Sequence, residues 1–349
     1  MTRKTLVVLA LPVVLGVLGL GGASVYYEAA GGEACARCHE IRPNAETWAA
    51  STHRNVACSA CHGSALSTNV RMHVQNLNRV LVHWSGRAPE QIRIRQKDIA
   101  PMLERCASCH RQEYEDWKSG PHAIRYVDIF ANPVHNLRQV PMDDCLRCHG
   151  MHFDGGIGDV VTPLDKKGPW SIKDARLAEE PVIPCLSCHA VHREGMPLAS
   201  RARRAGRTPE QERARPSLGI FDRRSMEDVK LEHLSLPVVL DGVRQVKMSP
   251  DQRQALCYQC HAPRAERQAL VGDDRTPVGV HEGLSCFACH EKHGMATRAS
   301  CDNCHPRLSN CGRDVATMDT SFRSPESNHD IHGVACIDCH AAGVPKKRI

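Results

Sequence analysis

The chain has 349 residues, enough for two domains on length alone. Aromatic residues make up 4% of it, which excludes a conventional polypeptide core of the size that length would ask for. The formal charge is +6, from 45 basic and 39 acidic side chains, and nineteen cysteines stand among them.

The N-terminus reads MTRKTLVVLALPVVLGVLGLGGASVYY. After Arg3 and Lys4, the 22 residues from Leu6 to Tyr27 carry no charge, which is long enough to cross a hydrocarbon core. A secretory signal usually has a shorter apolar region of about 7–15 residues, so an uncleaved anchor is the preferred reading and cleavage near Ala23 the alternative. The basic residues would stay cytoplasmic, with Tyr26 and Tyr27 at the far interface. Pro12 and the glycines Gly16, Gly19, Gly21 and Gly22 are tolerated in membrane helices. Either way the rest of the chain is exported.

Eighteen cysteines then fall into nine C-x-x-C-H units. In chain order their cysteines are Cys35 and Cys38, Cys58 and Cys61, Cys106 and Cys109, Cys145 and Cys148, Cys185 and Cys188, Cys257 and Cys260, Cys286 and Cys289, Cys301 and Cys304, and Cys336 and Cys339. Zinc sites and disulfide frameworks have no need of histidine after every second cysteine, whereas covalent haem c does. Two thiols add to the porphyrin vinyls, and the next residue turns its imidazole onto the iron. The nine proximal ligands are His39, His62, His110, His149, His189, His261, His290, His305 and His340.

Twelve histidines remain, enough to close the second face of nine irons. His152, His192 and His293 each stand three residues after a proximal histidine. A residue that close cannot easily reach the far face of its own ring, so each is expected on a neighbouring haem. His53 and His281 precede a haem unit by five positions and His332 by four. With His122, His135, His233 and His329 these are the expected distal ligands; His73 and His83 carry a weaker signal. Two imidazoles give low-spin, closed iron suited to passing electrons. No catalytic residue is expected on this reading.

Nine porphyrins supply the apolar mass the sequence lacks, so the apo-chain should be largely unfolded. The expected fold is mainly α with extensive loops, organised around a chain of packed haems, plus one N-terminal transmembrane helix. Two propionates per haem turn the formal +6 into a net negative charge, which removes the case for nucleic acid. The arginines read as propionate partners. RARRAGRTPEQERAR, Arg201 to Arg215, is the exception, a solvated linker or a docking patch.

That run lies in the longest interval between units, 72 residues from Cys185 to Cys257. The expected organisation is therefore 1–28 anchor or signal peptide, 29–198 a five-haem module, 199–250 an Arg-rich linker and 251–349 a four-haem module. A faint repeat in the first half places Trp48, Ser51 and His53 after one unit, and Trp117, Ser119 and His122 after another. Both tryptophans are expected to pack against a porphyrin face. Cys311 is the odd cysteine, either a free or buried thiol or a thiolate ligand to the haem at Cys301.

The apolar start running into CARCHEIRPNAETWAASTH, then CSACHG and RCASCH, resembles the NapC/NirT family of membrane-anchored periplasmic quinol dehydrogenases over about residues 1–150. The resemblance implies electrons taken from membrane quinol and passed to a periplasmic reductase. Three departures stand out. Ile41 occupies a position where the family often has Met; Gly63 to Gln96 lacks the family's Lys and Asp; and nine haems exceed its usual four or five. Downstream, CHAVH and CHEKHG are similar in style to octahaem and other large multihaem cytochromes c.

Three functions follow. The first is an electron conduit from the quinol pool or a membrane partner to other cytochromes or a reductase, on the periplasmic side of the inner membrane. The second is a terminal reductase of nitrite, hydroxylamine or a sulfur oxyanion at one open haem, though no C-x-x-C-K unit is present. The third is a quinol dehydrogenase, weakened by the missing Lys and Asp.

Overall fold

A computed structural model of the chain describes residues 3–30, 33–63, 69–88, 94–192, 218–225, 227–261, 274–294, 304–305 and 331–340. The expected roles of Cys301, Cys311, His329 and the Arg201–Arg215 run lie outside those residues, as do the side chains of His73 and Cys339. Two compact units divide the chain, 1–109 with 191–205, and 110–190 with 206–349.

The first unit is helical. α1 is Arg3–Ala29, 27 residues, and its window Ala10–Tyr27 has a mean hydropathy of 1.6. Among the described residues it is the one helix long and apolar enough to cross a membrane. Short helices follow at Glu33–Ala36 (α2), Arg42–Ala50 (α3) and Cys58–His62 (α4), then longer ones at Asn69–Trp84 (α5) and Gln96–Ala107 (α6). α6 buries Ile99, Met102 and Leu103, an i, i+3, i+4 stripe. Arg105 Nη1 at its end donates to the Cys61 carbonyl at 3.0 Å, tying α6 to α4.

The second unit is built mostly from single turns. α7 (Arg111–Ser119) and α8 (Tyr126–Phe130) lead into a core of Tyr126, Phe130, Leu146, Ile157, Val160, Val161, Trp170, Leu177 and Val182. α9 (Ile157–Val160) and α10 (Ala175–Ala178) flank a two-residue antiparallel pair, β1 (Val161–Thr162) with β2 (Ser171–Ile172). Asn136 Nδ2 donates to the Ile129 and Phe130 carbonyls at 2.8 and 2.9 Å, satisfying backbone groups that α8 leaves open. A second, smaller cluster of Leu231, Leu234 and Ala255 sits against the hairpin of β3 (Gly219–Asp222) and β4 (Glu227–Lys230). β5 (Leu240–Asp241) pairs with β6 (Arg244–Gln245). The described residues are thus partly helical with loops and three minimal sheets.

Gly279 is one place where the backbone requires glycine. Its φ is +71°, and a Cβ there would run into the Val334 carbonyl. The close approach lets Val278 N–H donate to His332 O at 2.7 Å and Val280 N–H to Val334 O at 2.9 Å. The segments preceding CFACH and CIDCH are thereby held side by side.

Candidate functional site

Several C-x-x-C-H units close the same local turn. The carbonyl of the first cysteine accepts the N–H of the second, at 3.2 Å for Cys35–Cys38, Cys106–Cys109 and Cys185–Cys188, 3.1 Å for Cys257–Cys260 and 3.3 Å for Cys286–Cys289. The same carbonyl accepts the histidine N–H at 2.9 Å in His149, 3.0 Å in His189, 2.8 Å in His261, and 2.9 Å in His290 and His340. CSACH is a full helical turn, α4. Residues i, i+3 and i+4 of such a turn share one face, so two thiols and one imidazole project together. That is the donor set covalent haem c requires.

The second imidazoles come from far along the chain. In the first unit the His62 and His192 rings lie 5.8 Å apart, centroid to centroid. In the second unit His122 is 6.3 Å from His261, His293 is 6.0 Å from His189, and His332 is 6.1 Å from His290 with the rings 13° from parallel. A metal–imidazole bond is about 2 Å, and adding about 1 Å from each nitrogen to its ring centre puts two axial imidazoles about 6 Å apart. All four spacings fit one iron between two rings.

His83 was not among the expected ligands, yet its ring is 5.2 Å from that of His39, and its Nδ1 is 2.5 Å from Glu40 Oε1. Those three groups could hold a metal ion between them. The Glu40 carboxyl is held below the usual carboxylate range, first by its own backbone N–H, against which burial is the next effect, and then by His83 and His39. The clue in the sequence was helical phase, since His83 lies on the polar side of α5, away from its Leu and Val stripe.

His152 is buried and stacked on Phe221 at 5.0 Å, and neither ring nitrogen has a hydrogen-bond partner of normal geometry. Burial lowers its pKa to about 4; the Leu186 backbone, close by, opposes that only in part. A neutral buried imidazole with a nitrogen left unsatisfied fits a metal ligand. His62 is also driven to about 4, by burial first and by His192 and Arg105 next.

Other expected ligands are not brought to a second imidazole by any ring contact described. His281 Nδ1 lies 3.1 Å from the Ile331 carbonyl. His233 is exposed beside Glu232 at 3.4 Å, and His135 is exposed at a short turn. The His53 N–H donates to Ser51 Oγ at 3.0 Å, and the ring lies near His192, whose pKa is lowered by burial first and by His53 next.

The units also meet through their thiols. The Cys260 side chain lies beside Cys148, and Cys257 beside Cys286. Arg147 Nη2 reaches the Gln259 carbonyl at 3.2 Å, and Gln254 Oε1 accepts the Cys286 N–H at 3.1 Å. CLRCH, CYQCH and CFACH therefore converge. Both repeat tryptophans act as struts. Trp48 Nε1 donates to Val56 O at 3.2 Å and Trp117 Nε1 to Ile183 O at 3.0 Å, in each case two residues before the first cysteine of a unit.

Residues 105–190 and 239–291 match the family described as cytochrome c554 and c-prime. The matched segments hold five of the units, CASCH, CLRCH, CLSCH, CYQCH and CFACH, and make up less than half of the chain. No curated protein and no solved structure matches. Over those residues the match indicates a multihaem c-type cytochrome family, which implies covalent haem c and points to electron transfer.

Proposed function

We propose that the chain carries nine haems and conducts electrons along them, from the membrane quinol pool or a membrane partner to a periplasmic or extracellular redox protein. The carrying observation is the crossed pairing of imidazoles. His293 belongs to the CFACH segment but stands against His189 of CLSCH. His332 precedes CIDCH but stands against His290 of CFACH, and His122 follows CASCH but stands against His261 of CYQCH. When bound, each iron supplies a one-electron Fe(II)/Fe(III) couple. The residues do the rest. Each pair would hold one iron between its two imidazoles and so leave no position for substrate, and each distal histidine ties its own unit to another.

α1 is read as the anchor and the cytochrome as facing the periplasm, in keeping with the resemblance to the NapC/NirT family. Entry at the first unit has its own support. The Glu40–His83 pair beside His39 offers a carboxylate and an imidazole to take the two protons a quinol loses with its two electrons. The five-plus-four module division and the remaining distal ligands belong to the same reading. The runner-up is a terminal reductase with one open haem.

The test is carbon monoxide binding to the dithionite-reduced holoprotein, before and after His293→Ala. The wild type should show no shift, and the variant should show about one haem in nine becoming reactive and high-spin in the oxidised state. A wild type already reactive at one haem would favour the reductase.

A further inference from the structure

α5 is inside out for a soluble protein. It has 16 residues, and its apolar side faces solvent, with Val74 58%, Leu77 60%, Leu81 51% and Trp84 77% exposed. At 100° per residue these four fall within about 80° of arc. The polar side is the one turned to the protein. His83 reaches Glu40, and the Arg79 guanidinium is near enough to Cys35 and His62 for its charge to act on both. Those two side chains lie about 160° around the helix from the centre of the apolar arc. The haem units of Cys35 and Cys58 therefore lie on the polar side, and a porphyrin held there does not cover the apolar stripe. A surface helix normally buries that stripe against its own core.

We infer that α5 lies in the plane of the lipid bilayer surface, its apolar face in the headgroup–acyl boundary. The helix belongs to the same compact unit as α1, whose apolar span ends at Tyr27, shortly before Cys35. From Gly63 to Pro89 the chain has Arg71, Arg79 and Arg87 and no acidic residue, a charge that suits anionic headgroups. Trp84 closes the helix, with the amphipathic ring favoured at that depth. The occupant is thus lipid rather than a protein face. The consequence for function is placement: His83 and Glu40, on the opposite side of the same helix, stand at the depth from which a lipid-soluble reductant arrives. The inference rests on α1 as the anchor.

The experiment uses the full-length holoprotein in vesicles of phosphatidylethanolamine and phosphatidylglycerol, with a benzophenone amino acid in place of Leu77, Val74 or Val82 in turn. Irradiation should give lipid adducts at 77 and 74, about tenfold above those at 82, which lies about 120° around the helix from the centre of the stripe. Haem content by pyridine haemochrome should be unchanged in all three. A protein that stays in the vesicles but gives no lipid adduct at 77 and 74, or gives a cross-link to protein there, overturns the inference and leaves the anchor intact. Release from the vesicles with no adduct overturns both.

Discussion

Residues 124–182 and residues 33–107 solve the same problem in different ways. The first stretch contains one complete haem unit and a polypeptide core in which Tyr126, Phe130, Leu146, Val160, Val161 and Val182 are almost wholly buried, with Trp170 beside them. The second contains two complete units and the cysteine of a third, and among its described residues the buried apolar side chains are Ile99, Met102 and Leu103. Where the aromatic residues gather, the chain folds as a small protein folds. Where haem units crowd, few apolar side chains are buried, and on the reading proposed above covalent haem would supply the core. The scarcity of aromatics in the sequence is therefore uneven in effect, and 124–182 escapes it.

The largest effect that could break this contrast is loss of the cofactor. In chain produced without haem attachment, hydrogen exchange should find amides of 33–63 unprotected, while those of Val161, Trp170 and Val182 keep local stability about 2 kcal/mol higher. Trp170 N–H donates to Phe130 O at 3.0 Å and Val182 N–H to Ile124 O at 2.9 Å, so both amides report on the core directly. Equal exchange in both regions would mean that the 124–182 core also depends on haem.

Next in size is the core itself. Trp170→Ala removes a buried indole whose Nε1 donates to Lys166 O at 2.9 Å, and should cost about 3–5 kcal/mol in holoprotein denaturation. Ile99→Val, in the haem-rich region, should cost about 1 kcal/mol. If the two cost the same, the distinction between a polypeptide core and a cofactor core fails.

How much of this was legible follows the same division. The local turn of C-x-x-C-H could be read because i, i+3, i+4 geometry is fixed within five residues. The apolar stretch from Leu6 to Tyr27 reappears within α1. Pairings could not be read, because His62 meets His192, and His122 meets His261, across more than a hundred residues of chain. His83 carries only a weak signal in the sequence, and its phase on α5 is what sets it beside His39. The spacing of Trp48 and Trp117 was visible, but a hydrogen bond to a carbonyl ahead of a haem unit leaves no mark in composition. His152 was placed on a neighbouring haem by a steric argument about its own ring; its burial against Phe221, from a hairpin some seventy residues later, needed the fold.

A smaller effect probes the junction between CYQCH and CFACH. Asp251 accepts from Arg253 Nε and Nη2 at 2.8 and 2.6 Å and from Ser285 Oγ at 3.0 Å, while the Arg253 guanidinium lies 4.6 Å over the Phe287 ring. Burial pushes the carboxyl pKa up, but these hydrogen bonds outweigh it and the net shift is downward. A depressed pKa stabilises the fold above the unfolded value of about 4 and loses that contribution as pH falls through the folded value. Asp251→Asn should therefore lower stability by about 1 kcal/mol at neutral pH and flatten its fall below about pH 4, read as urea midpoints across pH.

The smallest effect belongs to Arg125, at the edge of the polypeptide core. It pairs with Asp128 at 2.8 Å and Glu179 at 2.6 Å, closing the turn of α8 onto the chain that returns after α10. Backbone bonds already join those segments, since Tyr126 N–H donates to Glu180 O at 3.1 Å, and all three charged side chains are exposed to water. Arg125→Met should lower the melting temperature only slightly at low ionic strength. The difference should vanish at about 1 M salt, where screening acts within about 3 Å. A loss that survives high salt would place the contribution of Arg125 in packing of its aliphatic stem over the core, and would make this rim part of the same apolar unit as Tyr126 and Phe130.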